Sequence, residues 1–203
     1  MNRENYKRRW VVGITGASGA IYGVTLCREL LKAGFHIHLV ITDAGWRVLK
    51  EELGWDASHR QEALREAFRV AFEEEQLTYH PLNDIGASIA SGSYRTEGMV
   101  VVPCSMGSLS SIANGASTNL LTRTADVMLK EGKPLLLVPR ETPLHAIHLE
   151  NMLKLSRLGV RIIPAMPAFY NGPQTLEDIV VFMVGKVMDN MGISNDIYKR
   201  WGE

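Results

Sequence analysis

Apolar runs of strand length alternate along this chain with stretches of helical period. The first run, Trp10-Val11-Val12-Gly13-Ile14-Thr15, breaks into Gly16-Ala17-Ser18-Gly19-Ala20 and then into a helical pattern over 20–33 that Gly34 stops. A second strand is predicted over 36–42, a short helix over 45–53 and a charged outer helix over 57–75. The segment 77–96, with Pro81 and several small residues, carries no clear period. The wholly apolar run 98–104 predicts a strand buried on both faces. A broken helix over 105–132, a strand over 133–139, a helix over 144–158, a strand over 160–164 and a terminal helix over 175–191 follow. Thr175, with Asp178 three residues on, approaches a capping box. Such alternation predicts an α/β fold with a parallel sheet covered by helices on both faces, and ligands beyond the carboxyl ends of the strands.

Composition narrows the class. The 203 residues suit one domain, here 1–203, with 1–9 as an N-terminal extension and 192–203 as a C-terminal tail. Lysine plus arginine equals aspartate plus glutamate at 22 each, which gives no electrostatic case for nucleic acid or an anionic membrane and little charge repulsion against self-association. Cys27 and Cys104 show no metal-type spacing and no disulfide framework, so a reducing cytoplasm is the expected setting. No run reaches the roughly 18 apolar residues of a membrane span.

Candidate chemistry gathers at the strand ends. The first strand ends in Gly16-Ala17-Ser18-Gly19, whose amides and following helix suit an anion. The second ends in Thr42-Asp43, the third in Cys104-Ser105-Met106-Gly107-Ser108, and the fourth in Arg140-Glu141. One crevice edge thereby collects hydroxyls, glycines and a guanidinium, an inventory for a phosphorylated ligand. The glycine order departs from the dinucleotide fingerprint, although Asp43 lies at the distance of a ribose-binding carboxylate. Ser105 and Ser108 also serve as simple helix caps. Cys104 reads as a buried inert thiol, and His145 and His148 as polar packing or interface residues. Arg123 and Lys130, seven apart, share a helix face. Together with Arg140 and Lys186 they form a cationic set, and no acidic cluster for magnesium accompanies it. The loop Pro164-Ala165-Met166-Pro167-Ala168-Phe169-Tyr170 reads equally as a buried turn or as an aromatic wall for an apolar substrate.

Several of these segments are specific when taken in order. Gly13-Ile14-Thr15-Gly16-Ala17-Ser18-Gly19-Ala20, Ser91-Gly92-Ser93, Pro103-Cys104-Ser105-Met106, Ala125-Asp126-Val127, Leu129-Lys130-Glu131, Val138-Pro139-Arg140-Glu141, His148 to Leu153, Pro164 to Tyr170 and Arg200-Trp201 resemble the UbiX flavin prenyltransferases over most of the chain. The resemblance implies a Rossmann-like, three-layer α/β/α flavoprotein with a doubly wound sheet. It implies transfer of a dimethylallyl group from dimethylallyl monophosphate to N5 and C6 of reduced FMN, without metal. The prenylated FMN would serve a UbiD-type decarboxylase. A cytoplasmic homo-oligomer, a dodecamer with sites at subunit contacts, is also implied. Carried onto this chain, the resemblance makes Gly16, Ala17, Ser18, Thr42, Ser105, Met106, Gly107, Ser108 and Arg140 FMN-binding. It makes Tyr170, Lys186 and Trp201 substrate-binding, and Ser18, Glu52, Arg123, Lys130 and Glu141 catalytic. Many relatives carry arginine in place of Lys186 and serine in place of Thr42. Two other expectations stand beside this one. One is a flavin-dependent cysteine decarboxylase of the same fold, against which speak the Pro-Ala-Met-Pro loop and the lack of a histidine soon after the glycine turn. The other is a non-catalytic flavin carrier.

Overall fold

A computed structural model describes residues 8–202. Six strands form one sheet in the order β3-β2-β1-β4-β5-β6, and every neighbouring pair is parallel. They are β1 (Arg9–Ile14), β2 (His36–Ile41), β3 (Leu77–His80), β4 (Gly98–Cys104), β5 (Leu135–Pro139) and β6 (Arg161–Ile162). The helices are α1 (Ala20–Lys32), α2 (Asp43–Leu53), α3 (Arg60–Ala67), α4 (Arg69–Glu73), α5 (Met106–Ala113), α6 (Leu120–Lys130), α7 (Ala146–Arg157) and α8 (Leu176–Met191). The chain winds outward from β1 through β2 to β3, then returns beside β1 and winds the other way through β4, β5 and β6. The reversal between β1 and β4 opens a crevice at their carboxyl ends, where doubly wound sheets bind ligands.

Strand alternation sorts the core into two layers. Val12, Ile14, Leu39, Val100 and Leu136 face α1, α2, α3 and α8. Val11, Val40, Met99, Val101 and Leu137 face α5, α6 and α7. Both faces are therefore covered, and the strands read as continuous apolar runs. Each fully buried leucine or isoleucine side chain contributes about 1.5–3 kcal/mol.

Three expectations need correction. The outer helix expected over 57–75 is two helices broken at Phe68 (φ −133°, ψ 37°), whose ring turns inward to meet Trp55 at 6.1 Å. The segment without a clear period contains β3, a four-residue edge strand. Only its two ends, Leu77 and His80, are buried, so it has neither an apolar run nor an alternation. The strand expected over 160–164 is confined to Arg161–Ile162. The capping box forms as expected: the Asp178 amide donates to Thr175 Oγ1 at 3.1 Å and the Thr175 amide to Asp178 Oδ2 at 2.9 Å. Among the described residues, no helix is long and apolar enough to cross a membrane, and no group of histidine, cysteine and carboxylate side chains is placed to hold a metal.

Candidate functional site

Thr15 ties the crevice together. Fully buried, it donates both its amide (3.2 Å) and its hydroxyl (2.8 Å) to the Pro103 carbonyl and accepts the Ser105 amide at 2.7 Å. The turns that leave β1 and β4 are thus held side by side. The Thr42 amide donates to the Ile14 carbonyl at 3.0 Å, and the Arg140 amide to the Cys104 carbonyl at 3.3 Å. Four strand ends therefore form one continuous edge. It gathers Gly16, Ala17, Ser18, Thr42, Ser105, Met106, Gly107, Ser108, Arg140 and Glu141.

Three helices begin on this edge, each with its positive end toward the crevice. Thr42 caps α2, its hydroxyl accepting the Gly45 amide at 3.0 Å. Ser105 caps α5, its hydroxyl accepting the Ser108 amide at 3.2 Å and donating to Ser108 Oγ at 3.1 Å. Met106 turns its side chain into the core, so it offers the crevice backbone alone. The start of α1 differs. Gly19, left-handed at φ 99°, has no capping side chain of its own. Its amide and that of Ala20 donate instead to the carboxylate of Glu52, from α2, at 2.9–3.0 Å. The anion expected at the glycine turn is therefore supplied by the chain itself. That corrects the view of this turn as a phosphate cradle: a phosphate there would oppose a carboxylate already seated on the same amides.

Arg140 spans the edge. Half-buried, it donates from Nε to the Ser18 carbonyl at 3.3 Å. Glu141, exposed, accepts the Thr142 amide at 3.0 Å. Both line a cavity of about 290 Å³ with Thr142, Leu144, Met152 and Met166, so an apolar wall continues the polar edge. Burial pushes the Cys104 thiol up to about 12, which keeps it protonated and inert. Asp43 is engaged by Arg60 at 2.8 Å. His145 caps α7 through Nδ1, and its ring stacks on His148 at 3.4 Å.

The remaining residues expected at the site lie on other elements of the chain. Arg123 and Lys130 lie on α6, half-exposed, each paired with a neighbouring carboxylate: Arg123 with Asp126 at 3.2 Å, Lys130 with Glu131. Lys130 closes α6 just before β5 begins, so it lies at the amino edge of the sheet, opposite the crevice. Among the described residues, no hydrogen bond or ion pair joins Arg123 or Lys130 to the turns after β1, β2 or β4. Tyr170 and Trp201 meet edge-on at 5.2 Å, and Tyr170 meets Phe182 of α8 at 6.2 Å. Lys186, exposed, follows one turn after Phe182 on the same face of α8. The tail that carries Trp201 is fastened by Asp189, which accepts from Arg200 at 2.8 and 3.1 Å and from the hydroxyl of Tyr198. A single chain thus presents the crevice edge with Glu52, the cations of α6, and an aromatic patch with Lys186 on different elements.

The flavoprotein family profile matches residues 1–188. The flavin prenyltransferase UbiX of Halalkalibacterium halodurans is 56% identical over 198 residues, covering 98% of this chain and 95% of the relative. Among solved structures, AnUbiX (PadA1) in complex with FMN and dimethylallyl pyrophosphate superposes with a TM-score of 0.88 at 38% identity, covering 98% of this chain and 99% of that one. A dodecameric FMN-dependent UbiX-like decarboxylase from Escherichia coli O157:H7 superposes with a TM-score of 0.86 at 42% identity, covering 96% and 100%. Matched over 98% of its length by a relative that is 56% identical, the chain belongs to the UbiX flavin prenyltransferase family.

Proposed function

We propose that this chain transfers a dimethylallyl group from dimethylallyl monophosphate to reduced FMN, closing a fourth ring at N5 and C6 and supplying a UbiD-type decarboxylase. The allylic C–O bond breaks and phosphate leaves with the bonding pair; a carbon–nitrogen bond forms at N5, which gives up its proton; a proton adds to the alkene CH, and the tertiary cation so formed closes on C6, whose proton passes to the protein or the phosphate. The carrying observation is the single edge that gathers three helix amino ends and Arg140 beside an apolar cavity.

Within that reading the residues divide the work. The flavin phosphate goes to the hydroxyls and amides of Thr42 and Ser105–Ser108, since Glu52 holds the start of α1. The ring system lies along the Gly16-Ala17-Ser18 turn, with Ser18 oriented by the Arg140 contact to its carbonyl. Glu52, seated beside that turn, takes the proton released at ring closure. Lys130, Arg123 and Lys186 hold the leaving phosphate, and the faces of Tyr170 and Trp201 stabilise the allylic cation. Because Lys130 lies at the amino edge of the sheet and the crevice at the carboxyl edge, neighbouring copies in a homo-oligomer complete each site.

A single-turnover reaction with both substrates tests the function. The expected product is a flavin heavier by one five-carbon unit. A flavin of unchanged mass, in protein shown to bind reduced FMN, rejects it.

A further inference from the structure

A buried histidine pair that the proposed function does not use lies under the Ser91–Ser93 turn. His38 of β2 and His80 of β3 are 4% and 8% exposed, and their rings meet through Nδ1 and Nε2 at 2.9 Å. The other nitrogen of His38, Nε2, hydrogen-bonds the Tyr94 hydroxyl at 3.0 Å. Tyr94 closes the turn that begins at Ser91, its amide donating to the Ser91 carbonyl at 3.2 Å. Its own carbonyl accepts Lys133 Nζ at 2.8 Å, and the Arg9 guanidinium lies 5.3 Å from its ring.

The turn rests directly on the Lys130–Glu131 pair. A Cβ at Gly92 would overlap the Glu131 carboxylate and come within 2.9 Å of Lys130 Nζ, so the turn lies against the ends of both side chains. A displacement of the turn is therefore a displacement of the surface against which Lys130 is placed. The connected path runs from His80 through His38 to the Tyr94 hydroxyl, and from Tyr94 through the Ser91–Tyr94 turn to Gly92 and Lys130.

We infer that His38 and His80, acting through the Tyr94 hydroxyl, are positioning residues that set the Ser91–Ser93 turn against Lys130 and so tune how tightly the chain holds the phosphate of its allylic donor. This rests on Lys130 as a donor-phosphate residue, and it adds a buried support that no catalytic group touches. The pair suits the task because it stays neutral. Burial, with the neighbouring charges of His36, His80 and Arg9, holds His38 at about 3, and burial lowers His80 against the opposing pull of Asp84. His36 is itself turned to the Glu75 carbonyl and Thr78, each at 3.0 Å, and α6 meets this face with leucine, alanine and valine side chains. Neutral rings in series give each nitrogen between them one defined partner, which fixes the hydroxyl in place.

The test measures steady-state prenyl transfer in Tyr94→Phe, His80→Leu and the double variant. Losing one neutral hydrogen bond predicts a KM for dimethylallyl monophosphate raised about three- to tenfold in Tyr94→Phe. At saturating donor kcat is unchanged, and so is the affinity for FMN. His80→Leu should raise the same KM, and the double variant should add nothing beyond the larger single effect, because both changes act through one hydroxyl. An unchanged donor KM in Tyr94→Phe, or a fall in kcat with KM constant, overturns the inference, as does full additivity in the double variant. Amide exchange at 91–96 supplies an arm independent of turnover: protection is lost in Tyr94→Phe, and identical protection overturns the inference. A Lys130→Ala chain with wild-type kcat and an unaltered donor KM overturns instead the role given to Lys130, and the exchange result still decides whether the histidine pair sets the turn.

Discussion

The Glu52 carboxylate accepts the Ala20 amide at 2.9 Å, across 32 residues of sequence, and so serves as the missing cap of α1. Its charge lies against the positive end of that helix and beside Ser18, the residue expected next to the flavin. Two functions in one group make different substitutions separable. Glu52→Gln keeps an acceptor for the amides but cannot take a proton, so kcat should fall at least about a hundredfold with FMN affinity retained. Glu52→Ala additionally removes the cap, at a cost of about 0.5–2 kcal/mol, visible as a lower melting temperature. A Glu52→Gln enzyme with wild-type kcat would assign the proton to another group.

Arg140 links the end of β5 to the turn after β1 through the Ser18 carbonyl at 3.3 Å. A charge-assisted hydrogen bond contributes about 1.5–3 kcal/mol, so Arg140→Ala should weaken FMN binding about ten- to a hundredfold in an equilibrium titration. Arg140→Lys keeps the charge without the planar fork and should fall between the two. Equal affinity in all three proteins would remove Arg140 from the flavin site.

Much of this edge was legible in the sequence, because wholly apolar runs such as 98–104 announce strands buried on both faces and the residues just beyond such strands are the ones a doubly wound sheet exposes to a ligand. What escaped depends on long-range geometry. β3 buries only its two ends, so no local pattern announces it. Phe68 breaks a helix because its ring finds Trp55, a tertiary event that overrides a helical period. Thr15 looks like the last residue of a strand, yet three hydrogen bonds to Pro103 and Ser105 make it the clamp between two turns. Spacing placed Arg123 and Lys130 on one helix face but could not say at which edge of the sheet that helix would end.

Stability should depend on pH through the buried histidine pair. The folded pKa of His38, about 3, lies below the ordinary value of 6.5, and that of His80 is lowered too. Between those limits the unfolded chain binds more protons than the folded one, so acid favours unfolding. The contribution is fully present above about pH 6.5 and is lost progressively below it, at up to about 1.4 kcal/mol per pH unit for each group. Urea midpoints measured from pH 8 to pH 5 should be level and then fall. In His38→Gln, which cannot take up that proton, the fall should be shallower. Equal slopes for the two proteins would mean that other groups control the acid limb.

The distance in the fold between Lys130, at the amino edge of the sheet, and Glu52, at the carboxyl edge, makes the shared character of the site testable without a new structure. Lys130→Ala and Glu52→Gln chains should each be nearly inactive as pure oligomers. If every site takes its edge from one copy and its α6 cations from another, random exchange of subunits creates some sites in which both contributions are wild type. An equimolar mixture, partially dissociated and reassembled, should then recover about a quarter of wild-type activity. If instead each chain supplied both residues to its own site, every site in the mixture would keep one lesion and no activity would return. Mass analysis of the reassembled oligomers confirms that exchange took place, so a null result in exchanged material counts against the composite site.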